Sequence, residues 1–169
     1  NINLSETAWV IGNSEISNNV TLKEYVVVRG DGEKIKIGKN TKIYERCTVH
    51  VASNYLGTNI GENCIIGKFS VIHACQIGNE VIVGDNCVIM DGSNLGNNCI
   101  LMKDTLIPPN KVFTDYSLIG GSPAKVIKII DVDEYKTYLR KIQNKNCLFY
   151  NNKFNTNYCN IEPTKNLRL

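Results

Sequence analysis

Aliphatic residues recur every six positions along most of the chain: Val10, Ile16, Leu22 and Val28, then Ile37, Ile43 and Val49. The series resumes at Ile60, Ile66 and Ile72, slips by one, and continues through Ile77, Val83, Ile89, Leu95, Leu101 and Ile107. Glycine often follows the aliphatic residue, as at Gly38, Gly61, Gly67, Gly78, Gly84 and Gly96. Four places after it stands something small or β-branched: Thr41, Cys47, Cys64, Ser70, Val81, Cys87, Ser93, Cys99 or Thr105. A helix repeats at about 3.6 residues and a half-buried strand at about 2, so neither explains a sustained six. A β-solenoid does, with short strands, tight glycine turns and one inward aliphatic residue per face. The pattern therefore predicts an all-β solenoid over residues 1–130.

The period changes at "DVDEYKTYLRKIQNK". Asp131 and Glu134 have capping-box spacing, and Val132, Tyr135, Tyr138, Leu139 and Ile142 follow at helical intervals. This predicts a C-terminal α-helix over 131–145, with its apolar stripe on the solenoid or on a neighbouring subunit. Residues 146–169 are rich in Asn, lack a period and read as an extended tail. Phe149, Tyr150, Phe154 and Tyr158 in that tail suit a partner surface or this chain's own flank.

Composition narrows the class. The 169 residues are 43% hydrophobic and 21% charged, ordinary for a soluble globular protein. A net charge of +3 with dispersed Lys and Arg argues against a nucleic-acid surface. No apolar run reaches the roughly 18–20 residues of a transmembrane helix. Seven cysteines, without a CxxC pair, suit a reducing compartment better than a secreted disulfide framework. Cys47, Cys64, Cys87 and Cys99 share the small inward slot, where Cys acts as a compact hydrophobe.

The chain has only two histidines, His50 and His73, and each directly follows an aliphatic residue of the repeat. The insertion "VASNYLGTN" adds five residues beyond the register, and without it one full coil separates them. The two imidazoles should therefore stack on one face at the interstrand spacing of about 4.8 Å. Lys68 belongs to the preceding hexad, on the adjacent face, and should reach another subunit's site rather than its own.

The period, the aliphatic–Gly pairs and the closing "GGSPAKVIK" resemble the hexapeptide-repeat proteins, which form left-handed parallel β-helices. The handedness is implied by that resemblance. The stretches "VVVRGDGEKIKIGKNTKIYERCTVH" and "IGKFSVIHACQIG" resemble γ-class carbonic anhydrases. In that family three histidines, two from one chain and one from its neighbour, bind zinc or iron in the clefts of a trimer. The matching positions are His50, Lys68 and His73. Arg29 and Asp31 match residues that form a salt bridge across the trimer interface.

The departures bear on activity. Lys68 puts an ammonium where a ligand belongs, and Phe69 replaces a smaller polar neighbour. Tyr44 stands in place of the glutamine that orients metal-bound hydroxide, and Ser122 in place of a more usual Asn. A homotrimer is expected to hold no metal, since catalytic zinc needs three protein ligands. A heterotrimer in which this chain lends His50 and His73 to a neighbour with its own histidine is expected to hold zinc or iron.

The resemblance implies a structural trimer subunit of a larger membrane-associated assembly, such as the carbonic anhydrase module of mitochondrial respiratory complex I. That module would place the chain on the matrix side, and a cytoplasmic chain is the alternative. Other readings are an active carbonic anhydrase, an acyltransferase using His73 as general base, and a subunit like those at the pointed end of dynactin.

Overall fold

A computed structural model describes residues 1–53 and 55–145. Cys147, Cys159 and the aromatic residues of the predicted tail lie outside the described residues. The chain winds as a parallel solenoid with three faces. The first is an eight-stranded sheet that runs from Asn3–Leu4 through Thr21–Leu22, Lys42–Ile43, Ile65–Ile66, Ile82–Val83 and Ile100–Leu101 to Ser117–Gly120. Lys125–Ile129 closes it as an antiparallel edge. The long strands Trp9–Ile16 and Val27–Ile37 bend round a corner and join the other two faces into one ten-stranded sheet. The second face continues through Thr48–His50, Val71–His73, Val88–Ile89 and Leu106–Ile107. The third continues through Thr58–Ile60, Gln76–Ile77, Asn94–Leu95 and Val112–Phe113.

The six-residue aliphatic series fills the bore. Val28, Val49, Ile72, Ile89 and Ile107 pair rung to rung on the second face and are fully buried. Val10 is the exception, because it sits on the first coil and stays exposed with Trp9 and Ile11.

The structure corrects the expected role of glycine. Gly38, Gly61, Gly67, Gly78, Gly84 and Gly96 are not in the left-handed region. They are needed because successive coils approach closely there. A Cβ on Gly67 would lie 2.5 Å from the Gly84 carbonyl carbon. The left-handed position falls later in each turn, and asparagine is its commonest occupant: Asn19, Asn40, Asn63, Asn86, Asn98 and Asn110. Asn tolerates that region because its short amide can hydrogen-bond locally. Asn40 donates to Asn63 Oδ1 at 2.9 Å, which links neighbouring coils.

The small inward slot also differs from a purely apolar one. Cys47 Sγ donates to the Gly67 carbonyl at 2.9 Å, Ser70 Oγ to Gly84 at 3.1 Å and Cys87 Sγ to Met102 at 3.0 Å. Apart from Val81, the slot over residues 41–105 holds a small donor, Cys, Ser or Thr. Cys75, two places before Ile77, is a fifth buried thiol in this series, hidden from the six-residue count by the slip. Burial pushes Cys47, Cys75 and Cys87 up to about 12, so these thiols are neutral core groups.

The helix spans Val132–Lys145, and Asp131 and Glu134 form the capping box. Glu134 N–H donates to Asp131 Oδ1 at 2.8 Å, and Asp131 N–H donates back to Glu134 Oε2 at 3.3 Å. Tyr135, Tyr138 and Ile142 pack on Ile65, Ile82, Ile100 and Leu118 of the first face, so the helix covers its own solenoid. Among the described residues no helix is long and apolar enough to cross a membrane.

Gly67→Ala should lower stability by about 1–3 kcal/mol, because backbone rather than a movable side chain meets the new methyl. Denaturant unfolding measures this. An unchanged midpoint would contradict the close-approach role.

Candidate functional site

The second face ends at the corner that carries the histidines. In the strand register Arg29, His50 and His73 occupy three consecutive rungs. The imidazole centroids lie 5.2 Å apart with planes inclined at 53°. The insertion after His50 loops out around the Ala52–Leu56 bridge and restores the register, as the six-residue count requires.

The two imidazoles have different partners. Asp91 Oδ1 is 2.5 Å from His73 Nδ1. A carboxylate only accepts, so Nδ1 carries a proton, and in the neutral ring the lone pair is then on Nε2. That is the arrangement by which carboxylates orient metal-ligating histidines. At His50, the Arg29 Nη2 donor lies 3.0 Å from Nε2 and occupies that lone pair, since a guanidinium cannot accept. Asp31 lies 3.5 Å from the same nitrogen, but the shorter contact to the obligate donor sets the tautomer. Arg29 also pairs with Asp31 at 2.7 Å, within the chain.

Lys68 stands at the corner where the second face begins, away from both imidazoles. Its ammonium is 3.6 Å from Glu45, and its backbone N–H donates to Asp85 Oδ1 at 2.8 Å. Glu45 Oε2 is buried without a hydrogen-bond partner, so Lys68 is the charge that balances it. Burial raises Asp85 above the usual carboxylate range, and Lys68 partly opposes that rise. Tyr44 faces the helix from the first face and is raised, chiefly by burial. It lines a cleft of about 560 Å³ with Lys42, Glu80, Tyr135 and Ile142. Among the described residues, no group of three or more His, Cys, Asp or Glu side chains is placed to hold a metal.

The geometry thus brings together His50, His73, Arg29 and Asp31, and leaves Lys68 and Tyr44 apart from them. Sequence reasoning missed Asp91 and Glu45. Asp91 follows Met90, which directly follows the inward Ile89, and the register therefore offered a signal for its proximity to His73.

A parallel β-solenoid built on a six-residue repeat defines a hexapeptide-repeat protein. The family model described as bacterial transferase hexapeptide (six repeats) matches residues 57–91. The chain is 36% identical over 143 residues to the protein YrdA of Escherichia coli, which covers 81% of this chain and 77% of the relative. It is 34% identical over 143 residues to a probable carbonic anhydrase of Methanocaldococcus jannaschii, covering 81% and 86%. Gamma carbonic anhydrase 1, mitochondrial, of Arabidopsis thaliana is 27% identical over 163 residues, and the alignment spans 94% of this chain but 54% of that protein. A hexapeptide transferase family protein from Anaplasma phagocytophilum superposes with a TM-score of 0.71 at 27% identity, covering 85% and 87%. The chain belongs to the γ-carbonic-anhydrase-like hexapeptide-repeat family.

Lys68→Met tests the corner's electrostatics. Asp85 binds its proton more tightly when folded than the unfolded value of about 3.9, so stability falls as pH rises through the interval between them. Removing Lys68 raises Asp85 further and widens that interval. The variant should match the parent near pH 4 and be less stable at pH 7 by roughly 1 kcal/mol. A loss equal at both values would contradict the role given to Lys68.

Proposed function

We infer that this chain is a structural subunit of a γ-carbonic-anhydrase-like trimer, without CO2-hydration activity of its own. The observation that carries this reading is the Lys68–Glu45 ion pair within the chain, at the position where the resemblance calls for a third ligand. A zinc site needs three protein donors, and an ammonium repels a dication unless it loses its proton. Arg29 reinforces the conclusion by occupying His50 Nε2. The donor set of this chain alone therefore does not fit the metal.

The larger assembly is read from the relatives. Those named mitochondrial include two plant proteins, of which this chain spans about half. A place among the homologous subunits of a membrane-associated complex on the matrix side extends the reading in that direction. The Escherichia coli relative is more similar, at 36% identity against 29% and 27%, so a cytoplasmic trimer is the alternative location.

One observation favours a second reading. Asp91 leaves His73 Nε2 oriented as a donor, so a neighbour with its own histidine could draw on this corner for zinc or iron. An acyltransferase has weaker support, because a Bacillus cereus structure named as a putative acetyltransferase is 21% identical and shares the fold alone.

Lys68→His decides between a lost ligand and a lost scaffold. The recombinant chain and the variant are each incubated with zinc, dialysed and analysed for metal by mass spectrometry. The parent should retain well under one zinc per three chains, and the variant should approach one per chain. Stoichiometric zinc in the parent would overturn the reading.

A further inference from the structure

The two ends of the solenoid are finished differently. At the last coil the antiparallel strand Lys125–Ile129 closes the first face, and Ala124 packs against the core. Among the described residues nothing covers the first coil. Its inward residues are Leu4, Val10 and Ile16, one per face, because they pair with Leu22, Val28 and Ile37 of the next rung. Those partners are at most 1% exposed, whereas Leu4 is 50% and Val10 38% exposed. Among the described residues Asn3–Leu4 and Trp9–Ile16 each pair on one side only. Their outer side presents a row of unpaired backbone N–H and C=O groups.

The C-terminal helix runs toward that opening. It starts at the last rung, where Ile130 N–H donates to the Tyr116 carbonyl at 2.9 Å. Farther along, Tyr135 Oη donates to the Glu80 carbonyl at 2.6 Å, and Ile142 and Gln143 line the cleft with Lys42. Its 14 residues, at about 1.5 Å each, descend about 21 Å, or roughly four rungs of 4.8 Å. From the rung of Lys42 the register leads through Thr21 to Asn3, a further distance of about 10 Å. Residues 146–169 can span that several times over at about 3.3 Å per residue. The outward column changes character along this path. Leu118, Ile100, Ile82 and Ile65 lie under the helix, and Lys42, Thr21 and Asn3 follow them. Past the helix the first face is therefore polar, and the next apolar surface is the open coil with Ile2, Leu4 and Val10. The sequence that follows the helix carries Leu148, Phe149, Tyr150, Phe154, Tyr158 and Ile161.

We propose that residues 146–169 close the first coil of their own chain, with backbone along the open edge and apolar side chains over Leu4 and Val10. Tethering selects this occupant over a second copy, because a short linker holds the segment at an effective concentration in about the millimolar range. An open strand edge is also a template for pairing with another chain. The segment thus seals the bore and keeps solenoids from stacking end to end. This contact lies at the end of the solenoid and stands apart from the trimer reading.

Hydrogen–deuterium exchange on the full chain and on a chain ending at Lys145 tests this, with the interior strand Val88–Ile89 as reference. Amides of residues 3–16 should exchange roughly tenfold faster in the shortened chain, and those of the reference strand at the same rate in both. Equal exchange of the first coil in the two chains overturns the proposal. If circular dichroism shows the shortened chain unfolded, Val10→Cys in the full chain decides. Cys47, Cys64, Cys75, Cys87 and Cys99 are buried, so mild oxidation should join the introduced thiol to Cys147 or Cys159 of the same chain. A disulfide between the introduced thiols of two copies overturns the proposal, as does an introduced thiol that alkylates freely and joins neither cysteine.

Discussion

Each coil must lie directly on the one before it, strand over strand, and this single requirement organises the molecule. Parallel pairing fixes which residues share a column, and the period of six carries one aliphatic residue inward per face. Close approach of successive turns then demands glycine where backbone meets backbone, as at Gly67. Thr58 Oγ1 donates to the His50 carbonyl within the same framework and ties the start of the third face to the histidine corner. The site is a by-product of register, since Arg29, His50 and His73 meet only because their coils superpose.

The solenoid was legible because six is a period that neither helix nor ordinary strand produces. The alignment of His50 with His73 followed from the same count. Other features were hidden for physical reasons. A glycine after an aliphatic residue looks like a turn residue, yet the turn conformation belongs to Asn63 and its equivalents. Cys75 escaped the count because the chain shortens by one residue at that turn. The ion pair of Lys68 was hidden because its balancing partner Glu45 comes from the adjacent coil, and the motif alone did not indicate it.

The two ends of the second face differ in the charges they hold. The histidine corner keeps Asp91 on His73, an orienting contact that suits metal binding. The other corner carries the Lys68 ammonium beside Glu45, with Asp85 accepting from the Lys68 backbone N–H. The pair is half-buried, and Lys68 balances a Glu45 oxygen that has no hydrogen-bond partner.

The most direct test is a crystal structure of the assembled chain grown with excess zinc, collected at the zinc absorption edge. The account predicts no anomalous peak between His50 and His73 and a Lys68 ammonium within ion-pair distance of Glu45. A zinc peak on both imidazoles, with Lys68 of a neighbouring chain as its third donor, would contradict it.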